Sequence, residues 1–164
     1  LDEVFSEWML NEDRGVYHPN WAVTIGWSSP SGFYRQTLGG SEMGLDVRNH
    51  EVLSFRIMQR HDDARNSGEA LDLSVRLTDH QGASASVLLS AAPQGPLRAN
   101  PDVGAGTTAK SVYETYRLPL SAFEDAAPEL NMDKVVHIDW VFDQTSSVMV
   151  TIDDLVFARA GLCD

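Results

Sequence analysis

Leu71-Asp72-Leu73-Ser74-Val75-Arg76-Leu77-Thr78-Asp79, running into His80-Gln81-Gly82, is the stretch that decides the fold. Leu71, Leu73, Val75 and Leu77 alternate with Asp72, Ser74, Arg76 and Thr78, a period of two that only an extended chain turns into one apolar and one polar face. Asp79-His80-Gln81-Gly82 supplies turn residues where the alternation stops, which predicts a hairpin into the next strand. Working outward, the same period recurs at Leu53, Phe55 and Ile57, at Val136, Ile138, Trp140 and Phe142, and at Val148, Val150 and Ile152. Shorter strands are predicted over Trp21 to Trp27, Phe33 to Leu38, Ala85 to Leu89 and Val112 to Leu118. Strands wet on one face and dry on the other pack as antiparallel sheets face to face. The chain is therefore expected to be all-β: a two-sheet antiparallel β-sandwich of the jelly-roll kind.

The connections have their own chemistry. Asp143-Gln144-Thr145-Ser146-Ser147 predicts a second hairpin. Ala91 to Ala109, rich in Pro, Gly, Ala and Asn, predicts a long loop, and His61 to Glu69 a second, polar one. Ser121-Ala122-Phe123-Glu124 resembles the start of a short helix. No helical stripe of several turns and no repeat or linker interrupts the pattern, so residues 1–164 are expected to form one module.

Composition narrows the partners. A 164-residue domain buries roughly 70% of the surface of its unfolded chain and needs no cross-link for a core. The single cysteine, Cys163, has no internal partner to oxidise with. A net charge of −12 repels phosphate backbones and anionic lipid heads, which argues against nucleic acid and membrane as partners. No apolar run of ~18 residues and no signal peptide is present. The opening Leu1-Asp2-Glu3-Val4-Phe5 reads as a processed protein or a module excised from a larger one, and the chain is expected to act as a monomer.

The closing strand breaks its own rule. Continuing the phase of Val148, Val150 and Ile152 puts Asp154 on the inward face and Leu155 and Phe157 outside. A buried, unpaired carboxylate is costly. Either a bulge resets the phase at Asp153-Asp154, or a cation neutralises the inward charge. Calcium, which takes about six to eight oxygen ligands, suits such a place. Asp2 and Glu3 meet it if the first and last strands pair.

Several segments, in chain order, resemble the galactose-binding-like β-sandwich modules, which include many carbohydrate-binding modules and the C-terminal domains of secreted bacterial hydrolases. They are Leu71 to Asp79 with Gly82, Tyr116-Arg117-Leu118-Pro119-Leu120-Ser121-Ala122-Phe123, Trp140-Val141-Phe142-Asp143, and Ile152-Asp153-Asp154-Leu155-Val156-Phe157. The resemblance runs from about Leu45 to Phe157. It implies a secreted or cell-surface bacterial module that holds polysaccharide beside a catalytic domain of the same polypeptide. It also implies a structural calcium, with Asp153 and Asp154 matching the closing motif and Asp2 and Glu3 matching in position.

Sugar recognition needs an exposed aromatic face and polar groups for the hydroxyls. Tyr17, Trp21, Trp27, Tyr34 and Arg35 are the candidates, in two loop-bordered clusters, with a neutral or β-linked polysaccharide as the expected ligand. Trp21, Val23, Ile25 and Trp27 share one phase, which also allows both tryptophans to be core. A second candidate is an outer sheet face carrying Arg56, Arg76, Arg117, Asp72, His137 and Asp139, able to take a sugar or a carboxylated polymer. A ladder of cross-strand ion pairs is the plainer reading of the same charges. No nucleophile elbow, zinc spacing or phosphate loop is present, so no catalytic residue is assigned. Two other functions stay open: an ancillary domain of an esterase-type hydrolase that binds no sugar, and a jelly-roll lyase or hydrolase using His137, Arg76 and Arg117.

Overall fold

The computed structural model describes residues 5–10, 21–30, 32–38, 44–60, 63, 65–66, 69–98 and 112–159, with backbone pairing alone for 5–10 and 21. Within them run β1 (Phe5–Leu10), β2 (Trp21–Trp27), β3 (Phe33–Thr37), β4 (Val52–Gln59), β5 (Ser74–Asp79), β6 (Ser84–Leu88), β7 (Glu114–Pro119), α1 (Leu120–Ala126), β8 (Val135–Val141) and β9 (Val148–Ala158). A five-stranded sheet has the order β1-β2-β9-β4-β7, and a four-stranded sheet the order β3-β8-β5-β6. Every strand pair in both is antiparallel.

The alternating residues do what their period requires. Leu53, Phe55, Ile57, Leu73, Val75, Leu77, Ile138, Trp140, Phe142, Val150 and Ile152 are all buried between the sheets. Each such side chain contributes about 1.5–3 kcal/mol by leaving water. Phe55 of β4 meets Trp140 of β8 edge-on at 4.7 Å, which locks one sheet against the other. The helix forms as expected but starts at Leu120, one residue early, burying Leu120 and Phe123. Of the long loop, Leu89–Ala91 is a 3-10 turn and Leu97 bonds back to Leu71; residues 99–111 lie outside the described set. Among the described residues no helix is long and apolar enough to cross a membrane.

Two expectations are settled by register. Asp143 to Ser147 is not a hairpin, because β8 belongs to the four-stranded sheet and β9 to the five-stranded one. The segment crosses between layers. It is pinned there by the Thr145 hydroxyl, which donates to the Asp72 carbonyl and accepts from the Asp72 N–H, each at 3.0 Å. Turn residues end a strand but do not say which sheet the next strand joins.

At the closing strand the bulge is present. Ser54 faces Val156 while Arg56 faces Asp153, so two residues of β4 span three of β9. Asp154 absorbs the extra residue with φ 50°, a left-handed conformation that Asp tolerates better than most side chains. The phase resets: Leu155 and Phe157 pack against the core and Asp154 is exposed.

Candidate functional site

The outer face of the four-stranded sheet is a lattice of side chains in three rows. Phe33, Val141, Ser74 and Leu88 lie across β3, β8, β5 and β6 in the first row. Arg35, Asp139, Arg76 and Ser86 form the second, and Thr37, His137, Thr78 and Ser84 the third. Rows on one face are two residues apart, about 7 Å.

Asp139 organises the middle row. It is fully buried, and its carboxylate receives Arg35 Nε at 2.7 Å and Nη2 at 2.9 Å from one side. From the other side come Arg76 Nε at 3.0 Å and Nη2 at 2.7 Å. Burial pushes the carboxyl up, but the hydrogen bonds and charges of the two arginines outweigh it and hold Asp139 below the usual carboxylate range. Two guanidiniums are thereby fixed flat on the sheet, and charge-assisted forks of this kind are the stronger hydrogen bonds. Phe33 completes the unit. The residue is 44% exposed, and the Arg35 and Arg76 guanidinium carbons lie 5.0 and 5.1 Å from its ring centroid. Cation–π contact on this scale holds a ring that would otherwise rotate freely at the end of an edge strand.

The expected binding residues are dispersed by this geometry. Arg35 belongs to the lattice. Trp27 does not: it is buried, stacked on Phe142 at 4.1 Å, and its Nε1 donates to the Thr145 carbonyl at 2.7 Å. The crossing segment that covers it could not be foreseen from phase alone. Tyr34 points to the core side. It is half-buried, which pushes its hydroxyl up, and it lines a cavity of about 290 Å³ between the sheets with Gln36, Trp140, Leu155 and the Asp153-Asp154 bulge. Tyr17 and the side chain of Trp21 lie outside the described residues.

Phe33 is the residue that sequence reasoning passed over. The signal was available: if Tyr34 faces inward, Phe33, Arg35 and Thr37 face outward together. The charged-face candidate divides between the layers. Arg76, His137 and Asp139 lie on the four-stranded sheet, Arg56 and Arg117 on the five-stranded one, and Asp72 caps the Leu73 and Ser90 N–H groups. Arg76, His137 and Arg117 therefore do not converge, and the lyase arrangement is not assembled. Arg35-Asp139-Arg76 is the cross-strand ladder that the charges allowed.

The expected metal donors give a different picture. Arg56 Nη2 binds Asp153 at 3.2 Å and Asp154 at 2.6 Å, and its guanidinium lies 5.2 Å from the Tyr113 centroid. Both carboxylates thus share one arginine. Among the described residues no three His, Cys, Asp or Glu side chains gather as a metal site requires. Asp2 and Glu3 lie outside the described residues. The described donors do not fit a calcium ion unaided, since two carboxylates that already share Arg56 fall well short of its oxygen shell.

No protein-family model matches the chain, and the search of curated proteins returned no match. Solved structures do match. A family 30 carbohydrate-binding module superposes over 99% of this chain and 80% of its own, with a TM-score of 0.66 and 10% identity. The family 30 module of a cellulosomal cellulase of Clostridium thermocellum covers 96% of this chain and 92% of its own, with a TM-score of 0.56 and 11% identity. The family 11 module from Clostridium thermocellum, in complex with a β-1,3-1,4-mixed-linked tetrasaccharide, covers 96% and 85%, with a TM-score of 0.57 and 11% identity. The β-sandwich of this chain is the fold of those modules.

Proposed function

We propose that this sandwich is a non-catalytic carbohydrate-binding module that holds polysaccharide on the outer face of its four-stranded sheet. The observation that carries the reading is Phe33: an exposed ring braced by two guanidiniums above Asp139, in a lattice otherwise made of Thr and Ser hydroxyls, His137, Val141 and Leu88. A braced ring stacks on a sugar face without losing much rotational freedom, and the surrounding donors and acceptors fix the hydroxyls. The likeness of fold to modules named for carbohydrate binding supports it. One ring contributes on the order of 1 kcal/mol beyond its buried area. The affinity of a single site is then about millimolar to high micromolar. Weakness of that order suits a module tethered to a catalytic domain, because linkage on a repeating polymer multiplies it. The natural setting on this reading is a bacterial enzyme that works outside the cell or at its surface.

Affinity electrophoresis against a panel of soluble glycans tests the proposal. Retardation on at least one glycan, lost in Phe33→Ala, is the expected result. No retardation on any would leave the sandwich as an ancillary domain serving its neighbour.

A further inference from the structure

We infer that the glycan read by this face is anionic, with a sugar carboxylate seated between Arg35 and Arg76; the inference rests on the binding function proposed above. Each guanidinium carries five N–H donors and no acceptor. The four bonds to Asp139 use Nε and Nη2 of each arginine and leave Nη1 of each outside that network. The Arg35 and Arg76 side chains are 40% and 28% exposed, whereas Asp139 is fully buried beneath them. The middle row therefore shows solvent a pair of donor-only groups whose counter-charge is hidden.

The balance of charge on the face agrees. Its outward strand positions hold two arginines against one carboxylate, Asp139, in a chain of net charge −12. Asp143, just past the end of β8, is exposed and keeps its charge, but it is held at the first row, one row from the arginines, by Ser74, whose hydroxyl and N–H donate to it at 2.7 and 3.2 Å. A neutral sugar offers hydroxyls that both donate and accept, and a donor-only pair satisfies half of that capacity. A carboxylate offers acceptors alone, in the planar arrangement that guanidinium forks match. Phe33, packed against both arginines, is placed to take the apolar face of the same sugar ring. Among the described residues it is the one aromatic on this face, which leaves the specificity to the arginines.

Isothermal titration of the intact chain with polygalacturonate, its methyl-esterified form, a mixed-linkage β-glucan and a sulfated galactan tests the inference. Polygalacturonate is expected to bind at least about tenfold more tightly than its ester or the neutral glucan, and to weaken as salt rises. Arg76→Lys keeps a positive charge beside the buried Asp139 yet loses the fork; it should cost about tenfold on polygalacturonate and leave the neutral glucan unaffected, with a lower melting temperature because Asp139 loses a bond. Arg35→Lys, at the more exposed position, serves if Arg76→Lys does not fold. Equal binding of acid and ester, or preference for the neutral glucan, would overturn the anionic reading while the module function stands. Tighter binding of the sulfated polymer would replace the carboxylate by a sulfate. Binding to none of the four polymers overturns this inference; silence on the wider glycan panel as well would remove the function beneath it.

Discussion

The carboxylate of Asp79 accepts the backbone N–H of Asn131 at 2.9 Å, tying the β5–β6 hairpin to the turn that precedes β8. Its other oxygen takes the N–H groups of Gln81 and Ala83 at 2.8 and 3.0 Å. Asp79 is almost fully buried, so burial pushes its carboxyl up, but these backbone donors outweigh that and hold it low. Asp79→Ala would strand three N–H groups, one of them in a different segment. We expect a loss of about 3 kcal/mol. Urea unfolding at neutral pH would measure it, and a loss under about 1 kcal/mol would mean that water replaces the carboxylate easily.

Acid should act through Asp139. Its folded carboxyl lies below the ordinary 3.8, so the stabilisation is complete above that value and disappears as pH falls through the folded pKa. Asp63 adds to the same limb: hydrogen bonds from Arg65 hold it at about 2. Melting temperature should thus be level near neutrality and fall below about pH 4. Asp139→Asn should start lower and fall less steeply. Parallel acid limbs in the two proteins would show that Asp139 contributes nothing to the pH dependence.

Phe33 and Trp27 separate binding from packing. Phe33→Ala removes an exposed ring and should abolish glycan retardation while moving the melt by less than about 2 °C. Trp27→Ala empties the stack on Phe142 and should cost about 3–5 kcal/mol. A binding-competent Phe33→Ala protein would transfer the platform to a residue not described here, Tyr17 being the first to test.

Calcium dependence, expected from the closing strand, is open to a direct measurement. With Asp153 and Asp154 both bonded to Arg56, chelator should leave the melt of the wild-type chain where it is. A drop that added calcium reverses would restore the metal, by the stabilisation that any native-state ligand confers. Arg56→Gln provides the contrast, since it removes the cation that Asp153 and Asp154 share.

Alternation reports which way a side chain faces, and for that reason the buried set around Phe55, Leu77 and Trp140 was legible in the sequence. It does not report which strands are neighbours. Arg56, Arg76 and Arg117 read alike as outward arginines, yet strand order puts Arg76 on one sheet and the other two on the opposite one. The bulge was legible as a conflict at Asp154, but its resolution depended on Arg56, distant in sequence. Trp27 and Phe33 were the hardest pair: phase allowed the first to be core and turned the second outward, but the crossing Asp143–Ser147 segment that covers Trp27 and the arginines of β3 and β5 that brace Phe33 come from strand order, which phase does not report.

β9 lies at the middle of the five-stranded sheet, between β2 and β4, and the Thr24–Thr151 hydroxyl pair joins residues 127 positions apart. Until β9 has been synthesised, β1-β2 and β4-β7 are separate two-stranded ribbons, and such ribbons are marginal alone. Half the sandwich therefore cannot assemble on the ribosome while its final strand is still in the exit tunnel. Folding of that sheet must wait until β9 has emerged, proceed slowly through long-range closure, and pass through a state with two open strand edges. Production of this module should accordingly be limited by aggregation of that waiting state, and should respond to lower temperature and slower synthesis more than to changes in the finished core.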